Sequence, residues 1–262
     1  MESLKNDKKI NYTVEGAGRP VVLLHGYLES LDIWGDFAAS LAKDFRVIRI
    51  DLPGHGRSAT VAEVHTMELL ADAVAGVLEK ENIRKPVLVG HSLGGYVTLA
   101  FVERYASFLS GFCLFHSHPL PDTDETKTNR QREIALVRQG KKHLIYQVNV
   151  PKAFAPENVE KFREEVTKAT EIARNTPDEG IIAMLKGMML RPGREKILEE
   201  PPLPGLWILG EKDQYIPYGK MVSEIKPAES IQVVSLKNSG HMGFIEEKEA
   251  SLGIMSRFLS TL

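Results

Sequence analysis

The sequence predicts an α/β fold built on a mostly parallel sheet, with a helical segment inserted between two of its strands. Three observations carry this. Short, continuously apolar runs recur along the chain, the pattern of strands buried on both faces of a sheet. Stretches with apolar residues at helical spacing alternate with these runs. From about 117 to 204 the alternation stops, and only helix-like stretches remain.

The first run, "KINYTVEG" (9–16), alternates in polarity and reads as an edge strand. "PVVLLHG" (20–26), "FRVIRIDLPG" (45–54), "PVLVGHS" (86–92), "GFCLFHSH" (111–118), "GLWILG" (205–210) and "IQVVSL" (231–236) read as the remaining strands. The stretch 66–83 carries Met67, Leu70, Val74, Val77 and Leu78 on one helical face. Helices are also expected from Leu93 to about Tyr105 and over 246–262. Within the insertion the expected helices are 124–140, 156–174 and 178–190, and "EEPPLPG" (199–205) marks the return to the sheet. The expected division is a core of 1–116 and 205–262 with a helical cap over 117–204. Because the insertion follows a strand end, it should overlie the edge of the sheet where ligands bind.

The composition limits the function classes. Of 262 residues, 43% are hydrophobic and 26% charged, which is enough apolar chain for a sizeable core. A net charge of −2, with acids and bases interleaved, predicts no nucleic-acid or membrane-surface partner. No apolar run approaches the roughly 20 residues that span a bilayer. "MESLKNDKKINY" has charges but no following apolar stretch, so no secretory signal is expected and the expected location is the cytoplasm. The one cysteine, Cys113, excludes an internal disulfide and lies in an apolar run where a packed thiol is expected.

The chemistry begins at Gly90-His91-Ser92-Leu93-Gly94, a G-x-S-x-G sequence with an apolar strand before it and a helix after it. A serine at the tip of so tight a turn needs glycines where side chains would collide, and Gly90 and Gly94 supply them. Gly95 would let the helix pack closely on the sheet. A serine hydroxyl is a weak nucleophile and needs a base, with a third group to orient that base. Among eight histidines, His241 stands out because it lies on a late loop, after the last strand-like run. His116 and His118 follow another strand, His91 adjoins the serine, and His25 and His55 lie in glycine-containing turns. His65 and His143 read as surface positions. The acid should leave another strand end at the same edge, where Asp213 follows "GLWILG" and Glu211 is the fallback; Asp122 lies in a later loop. Two backbone N–H groups would complete the constellation as an oxyanion hole, those of Leu93 and of Tyr27, the latter after the His25-Gly26 strand end.

Other features carry less. Glu15-Gly16-Ala17-Gly18 precedes a strand rather than opening a helix, so it is a turn and not a dinucleotide site. His116 and His118 alone make an incomplete metal site and read as packing or pocket lining, so neither metal nor cofactor is expected. Met184, Met188, Phe154 and Tyr146 suggest a partly apolar pocket or the core of the cap. Arg130, Arg132 and Arg138 have acids nearby and read as a solvated face.

Taken together, "HGYLES", "DLPGHGRS", "GHSLGG", "LGEKDQYIP" and "SGHMGFIEE" resemble, in order, five loops of the α/β-hydrolase superfamily, over nearly the whole chain. The resemblance implies a twisted parallel sheet with helices on both faces and a helical lid at 117–204. It also implies a cofactor-independent Ser-His-Asp hydrolase of a small molecule, by way of an acyl-enzyme. Carboxylesterases, enol-lactonases, C–C bond hydrolases, a menaquinone-pathway synthase and cofactor-free haloperoxidases share this branch. Ser92 departs from the haloalkane dehalogenases, whose nucleophile is Asp, and the single glycine after His25 departs from the HGGG of many lipases. Same-triad lyases or perhydrolases, and non-catalytic receptors on the same fold, are the alternatives.

Overall fold

The computed structural model describes residues 9–262. Residues 1–8 of the N-terminal stretch read above for a signal lie outside the described residues. Seven strands form one sheet: β1 (Tyr12–Glu15), β2 (Pro20–Leu24), β3 (Arg46–Ile50), β4 (Val87–His91), β5 (Gly111–Phe115), β6 (Gly205–Gly210) and β7 (Ile231–Leu236). Their spatial order is β1-β3-β2-β4-β5-β6-β7. Only β1 runs antiparallel, against β3 at one edge; every other pair is parallel. Burial follows position: β4, β5 and β6 are buried at every residue, while the edge strand β7 exposes Gln232 and Val233. That contrast explains why the central runs are apolar throughout.

The chain order reverses at β2. β3 lies on one side of it and β4 on the other, so the loops after β2 and β4 leave the sheet side by side. Such a switch point opens a crevice at the carboxyl ends of the strands. Around the sheet run α1 (Gly35–Leu41), α2 (Met67–Lys80), α3 (Leu93–Tyr105), α4 (Asp124–Arg138), α5 (His143–Lys152), α6 (Arg163–Asn175), α7 (Asp178–Leu190), α8 (Lys196–Glu199), α9 (Tyr218–Glu224), α10 (Gly243–Glu246) and α11 (Lys248–Ser260). Two helix pairs, α1 with α11 and α2 with α3, cover the sheet. An aromatic cluster of Trp34, Phe37, Phe115 and Phe244 fills the core next to the crevice, with the Trp34 and Phe244 rings 4.4 Å apart. No helix among the described residues is long and apolar enough to cross a membrane.

Helices α4 to α8 all lie between β5 and β6. The helix expected over 156–174 is instead a single 3-10 turn, Pro156–Asn158, followed by α6 from Arg163. Helix α5 was not foreseen, because "HLIYQVNVPK" mixes β-branched residues with a proline that normally stops a helix. Pro151 is accommodated at its last turn, and burial of Ile145, Tyr146 and Val150 overrides the weak local preference. The expected C-terminal helix over 246–262 is α11, Lys248–Ser260, and a separate short helix, α10, Gly243–Glu246, precedes it. Contrary to the surface reading, His65 is fully buried, whereas His143 is exposed. The His65 N–H donates to the carbonyl of Ala183 at 2.9 Å, and Gly187 lies directly against the His65 carbonyl. Helix α7 thus docks on the loop before α2, which is what buries this histidine.

The "DLPGHGRS" turn is organised by one carboxylate. Asp51, wholly buried, accepts from Leu31 N at 2.7 Å, Asn11 Nδ2 at 2.8 Å and Arg57 N at 2.9 Å. It therefore ties the N-terminal strand, the start of the Leu31–Trp34 turn and the post-β3 loop together. Asp51→Ala strands these donors and is expected to destabilise the protein by roughly 3 kcal/mol, read as a lower urea midpoint at unchanged slope.

Candidate active site

At the end of β4 the chain turns into α3 through Ser92, whose φ of 49° and ψ of −114° lie outside the comfortable range for an L-residue. The turn is held by backbone bonds: Ser92 N donates to Phe115 O at 3.0 Å, and Ser92 O accepts from Gly95 N at 2.9 Å. A Cβ at Gly90 would overlap the Gly94 carbonyl, and one at Gly94 would overlap the carbonyl of Leu24 at the end of β2. The glycines are thus required by close approach, across the turn and to the neighbouring strand. Gly95 abuts the Ser117 side chain, whose hydroxyl donates to Ser92 O at 2.7 Å, a support that sequence reading did not single out.

Asp213 and His241 arrive from the ends of β6 and β7. His241 Nδ1 lies 2.7 Å from Asp213 Oδ2, and Asp213 Oδ1 accepts from Tyr215 N at 2.8 Å and Ile216 N at 2.9 Å. An ionised carboxylate only accepts, so His241 Nδ1 carries the proton and its Nε2 presents a lone pair. Ser92 and His241 line the same cavity. The fallback Glu211 is exposed and accepts from Ser235 Oγ at 2.7 Å, so the structure brings Asp213, not Glu211, to the histidine. Asp122 is taken up elsewhere, between Arg130 and Arg191.

Burial works against charge on both partners, and the pairing outweighs it. Asp213 is held below the usual carboxylate range by the facing His241, with His116 and the Ile216 N–H assisting. Burial alone would lower His241; the Asp213 carboxylate, helped by Glu29 and Glu246, holds it above its ordinary value. His116 packs behind the pair, its Nε2 accepting from Gly243 N at 3.1 Å, and burial holds it well below the usual histidine value.

The histidine loop is anchored by residues that sequence reading overlooked. Glu246 accepts from Gly240 N at 2.9 Å and Met242 N at 3.2 Å, on either side of His241, and also from Ala155 N and Asn158 Nδ2, both at 2.8 Å. His241 N donates to Ala153 O at 2.7 Å. One carboxylate therefore joins the histidine loop to the α5–α6 connection. The only signal in sequence was an acid five residues after His241. A second support is Glu29, which accepts from Gly26 N at 2.6 Å and lies 2.9 Å from His91 Nδ1, while His91 Nε2 donates to His241 O at 2.9 Å. Burial would raise the Glu29 carboxyl, but His91 and the Gly26 N–H hold it below its ordinary value.

After β2, His25 Nε2 accepts from Leu52 N at 3.0 Å, so its Nδ1 is the protonated nitrogen and donates to Gly26 O at 2.8 Å. In a trans peptide the next N–H, that of Tyr27, points opposite to this carbonyl. Neither the Tyr27 nor the Leu93 N–H donates to another group among the described residues. The Tyr27 hydroxyl donates to Glu133 Oε2 at 3.0 Å, and Glu133 Oε1 accepts from Asn149 Nδ2 at 3.0 Å. This ties the β2 loop to α4 and α5.

The cavity has a volume of about 1040 Å³, is partly open to solvent, and is lined by residues of the strand-end loops and of α3, α4, α5, α6, α7 and α9. Met188 and Phe154 reach it, as the sequence suggested, whereas Met184 and Tyr146 are buried in the packing of the helices. Arg132 and Arg138 are exposed as expected. Arg130 is not on a solvated face: it pairs with Asp122 at 2.6 Å in the cavity wall, beside the buried Arg191. His118 also lines the cavity. Cys113 is buried in β5, where desolvation raises its thiol well above the ordinary value.

A strand-ordered α/β sheet with a serine on a strained turn and a histidine–aspartate pair beside it defines the class. Residues 21–251 match the family model described as alpha/beta hydrolase family, and the chain belongs to that family and is a hydrolase. A thermophilic esterase from Thermogutta terrifontis, solved with malate bound, superposes with a TM-score of 0.92 at 30% identity, covering 96% of this chain and 93% of that one. The 2-succinyl-6-hydroxy-2,4-cyclohexadiene-1-carboxylate synthase of Enterobacter sp. (strain 638) is 26% identical over 252 residues, 93% of this chain and 94% of its own. The dihydrolipoyllysine-residue acetyltransferase component of the acetoin cleaving system of Pseudomonas putida is 28% identical over 246 residues. The chain spans 64% of the length of that relative.

Proposed function

We propose that the protein hydrolyses a small-molecule ester or lactone through a Ser92–His241–Asp213 triad. The observation that carries this is the 2.7 Å Asp213–His241 bond, which leaves Nε2 unprotonated in the cavity that Ser92 also lines. The similarity to an esterase at 30% identity supports it. Ser92 Oγ attacks the carbonyl carbon as His241 Nε2 takes its proton, and the imidazolium is stabilised by Asp213. The N–H groups of Tyr27 and Leu93 receive the developing oxyanion. His241 then returns the proton to the leaving alkoxide. Water, deprotonated by His241, releases the acid and restores Ser92.

The test is labelling by a fluorophosphonate, with peptide mapping, beside turnover of p-nitrophenyl acetate and butyrate. Label on Ser92 with ester turnover is the expected result; an unlabelled, folded protein that turns over neither ester sinks the reading. The similarity to a synthase favours one second reading, a lyase or C–C bond cleavage by the same triad, in which Ser92 takes the label but the esters are poor substrates.

The pH dependence has a definite sign. Only neutral His241 accepts the serine proton, and Asp213 stabilises its protonated form, so activity falls on acidification. Since the net shift is upward from 6.5, the acid limb of kcat/KM should have its midpoint above 6.5. A profile level from pH 5 to 8 would show that His241 is not the base.

A further inference from the structure

The cavity wall holds a hydroxyl donor that the triad does not use. Tyr96 lies on α3, one helical turn after Ser92, and His118 follows β5; both line the cavity. Leu120 N donates to His118 Nδ1 at 3.2 Å. A backbone N–H cannot accept, so Nδ1 is the unprotonated nitrogen and the proton of the neutral ring sits on Nε2. His118 Nε2 lies 3.1 Å from the Tyr96 oxygen. The imidazole therefore donates to the phenol, and the phenol's own proton has no acceptor among the described residues. Burial, with Arg191 and Arg130 adding to it, pushes His118 down to about 3, so the ring keeps this single orientation of donors at any ordinary pH.

Charge does not supply the recognition here. Arg191 lies 3.8 Å over the Tyr96 ring and fixes its plane. Its Nη1 already donates to Asp122 at 2.5 Å and Met188 O at 3.0 Å, and its Nη2 to Leu120 O at 3.1 Å. Arg130 is paired with the same Asp122. The one Arg191 donor without a partner among the described residues, Nε, is itself buried, and the bonded donors of both guanidinium groups are directed at the protein, so the tyrosine proton is the donor left for a ligand.

We propose that Tyr96 is a specificity-determining residue that donates its hydroxyl proton to an uncharged oxygen of the substrate, a keto or hydroxyl group, distinct from the scissile carbonyl. The inference rests on the reading of Ser92 as the nucleophile and adds a substrate class to it: oxygenated esters or lactones rather than plain alkyl ones. A site built around such a donor rejects analogues that lack the acceptor, because the donor is then left buried and unpaired.

The experiment compares two matched pairs of p-nitrophenyl esters, pentanoate with 4-oxopentanoate and hexanoate with 5-oxohexanoate, on the wild type and on Tyr96→Phe. The readout is the ratio of kcat/KM for the oxo ester over the plain one. In at least one pair the wild-type ratio should exceed that of the variant by roughly five- to tenfold, the worth of one hydrogen bond. A merely structural effect lowers both esters of a pair alike and leaves the ratio unmoved. Equal ratios in wild type and variant for both pairs overturn the inference while ester turnover keeps the serine-hydrolase reading. Loss of both turnover and fluorophosphonate labelling in the wild type would instead overturn that reading, and this inference with it.

Discussion

Ser92→Ala is expected to lower kcat on p-nitrophenyl esters by on the order of 10⁶-fold, the scale seen when the nucleophile of such a triad is removed. The loss should fall on the chemical step and not on folding. The bonds that hold the turn belong to the backbone, Ser92 N to Phe115 O and Gly95 N to Ser92 O, and alanine keeps both. The strained φ of 49° is as uncomfortable for alanine as for serine, so the strain is unchanged. Thermal unfolding of the variant should therefore match the wild type, with labelling by a fluorophosphonate abolished. Residual hydrolysis above the rate in water, about 10³-fold or more, is expected from the N–H groups of Tyr27 and Leu93 alone. A variant that retains labelling at another residue would place the nucleophile elsewhere.

The features readable in sequence were those whose physical cause is local. The strand runs are apolar because β4, β5 and β6 are covered on both faces, and the glycines around Ser92 are small because the turn leaves no room. The loops that carry Ser92, Asp213 and His241 each follow a strand directly, so their convergence at one edge was legible from strand order. What sequence did not show is mostly long-range. Glu246 holds the histidine loop to Ala155, 91 residues away, and Glu29 meets His91 across the switch point. Apart from the place of Glu246 five residues after His241 and of Glu29 in "HGYLES", nothing near either acid in sequence separates it from a surface glutamate. Arg130 looked solvated for the same reason: its partner Asp122 is nearby, but the burial of the pair depends on Arg191, which comes from the end of α7. His65 looked exposed because α7, which covers it, lies more than a hundred residues on.

Asp213→Asn is expected to cost about 10⁴-fold in kcat, the scale of a wrong-tautomer defect, with little change in KM. The hydrogen bonds of this site dictate the reason. Asp213 Oδ1 accepts from the N–H groups of Tyr215 and Ile216, so an asparagine must place its carbonyl oxygen there. Its amide nitrogen then occupies the Oδ2 position and donates to His241 Nδ1. The imidazole is forced to carry its proton on Nε2, where it can no longer receive one from Ser92. Loss of the carboxylate also removes the main influence raising His241, so the acid limb of the residual activity should move to lower pH. Glu211→Gln is the matching control: Glu211 is exposed, is bonded to Ser235, and should leave both rate and limb unchanged. A large loss in Glu211→Gln with a small one in Asp213→Asn would reverse the assignment of the acid, and the His241 tautomer would then need another partner to hold it.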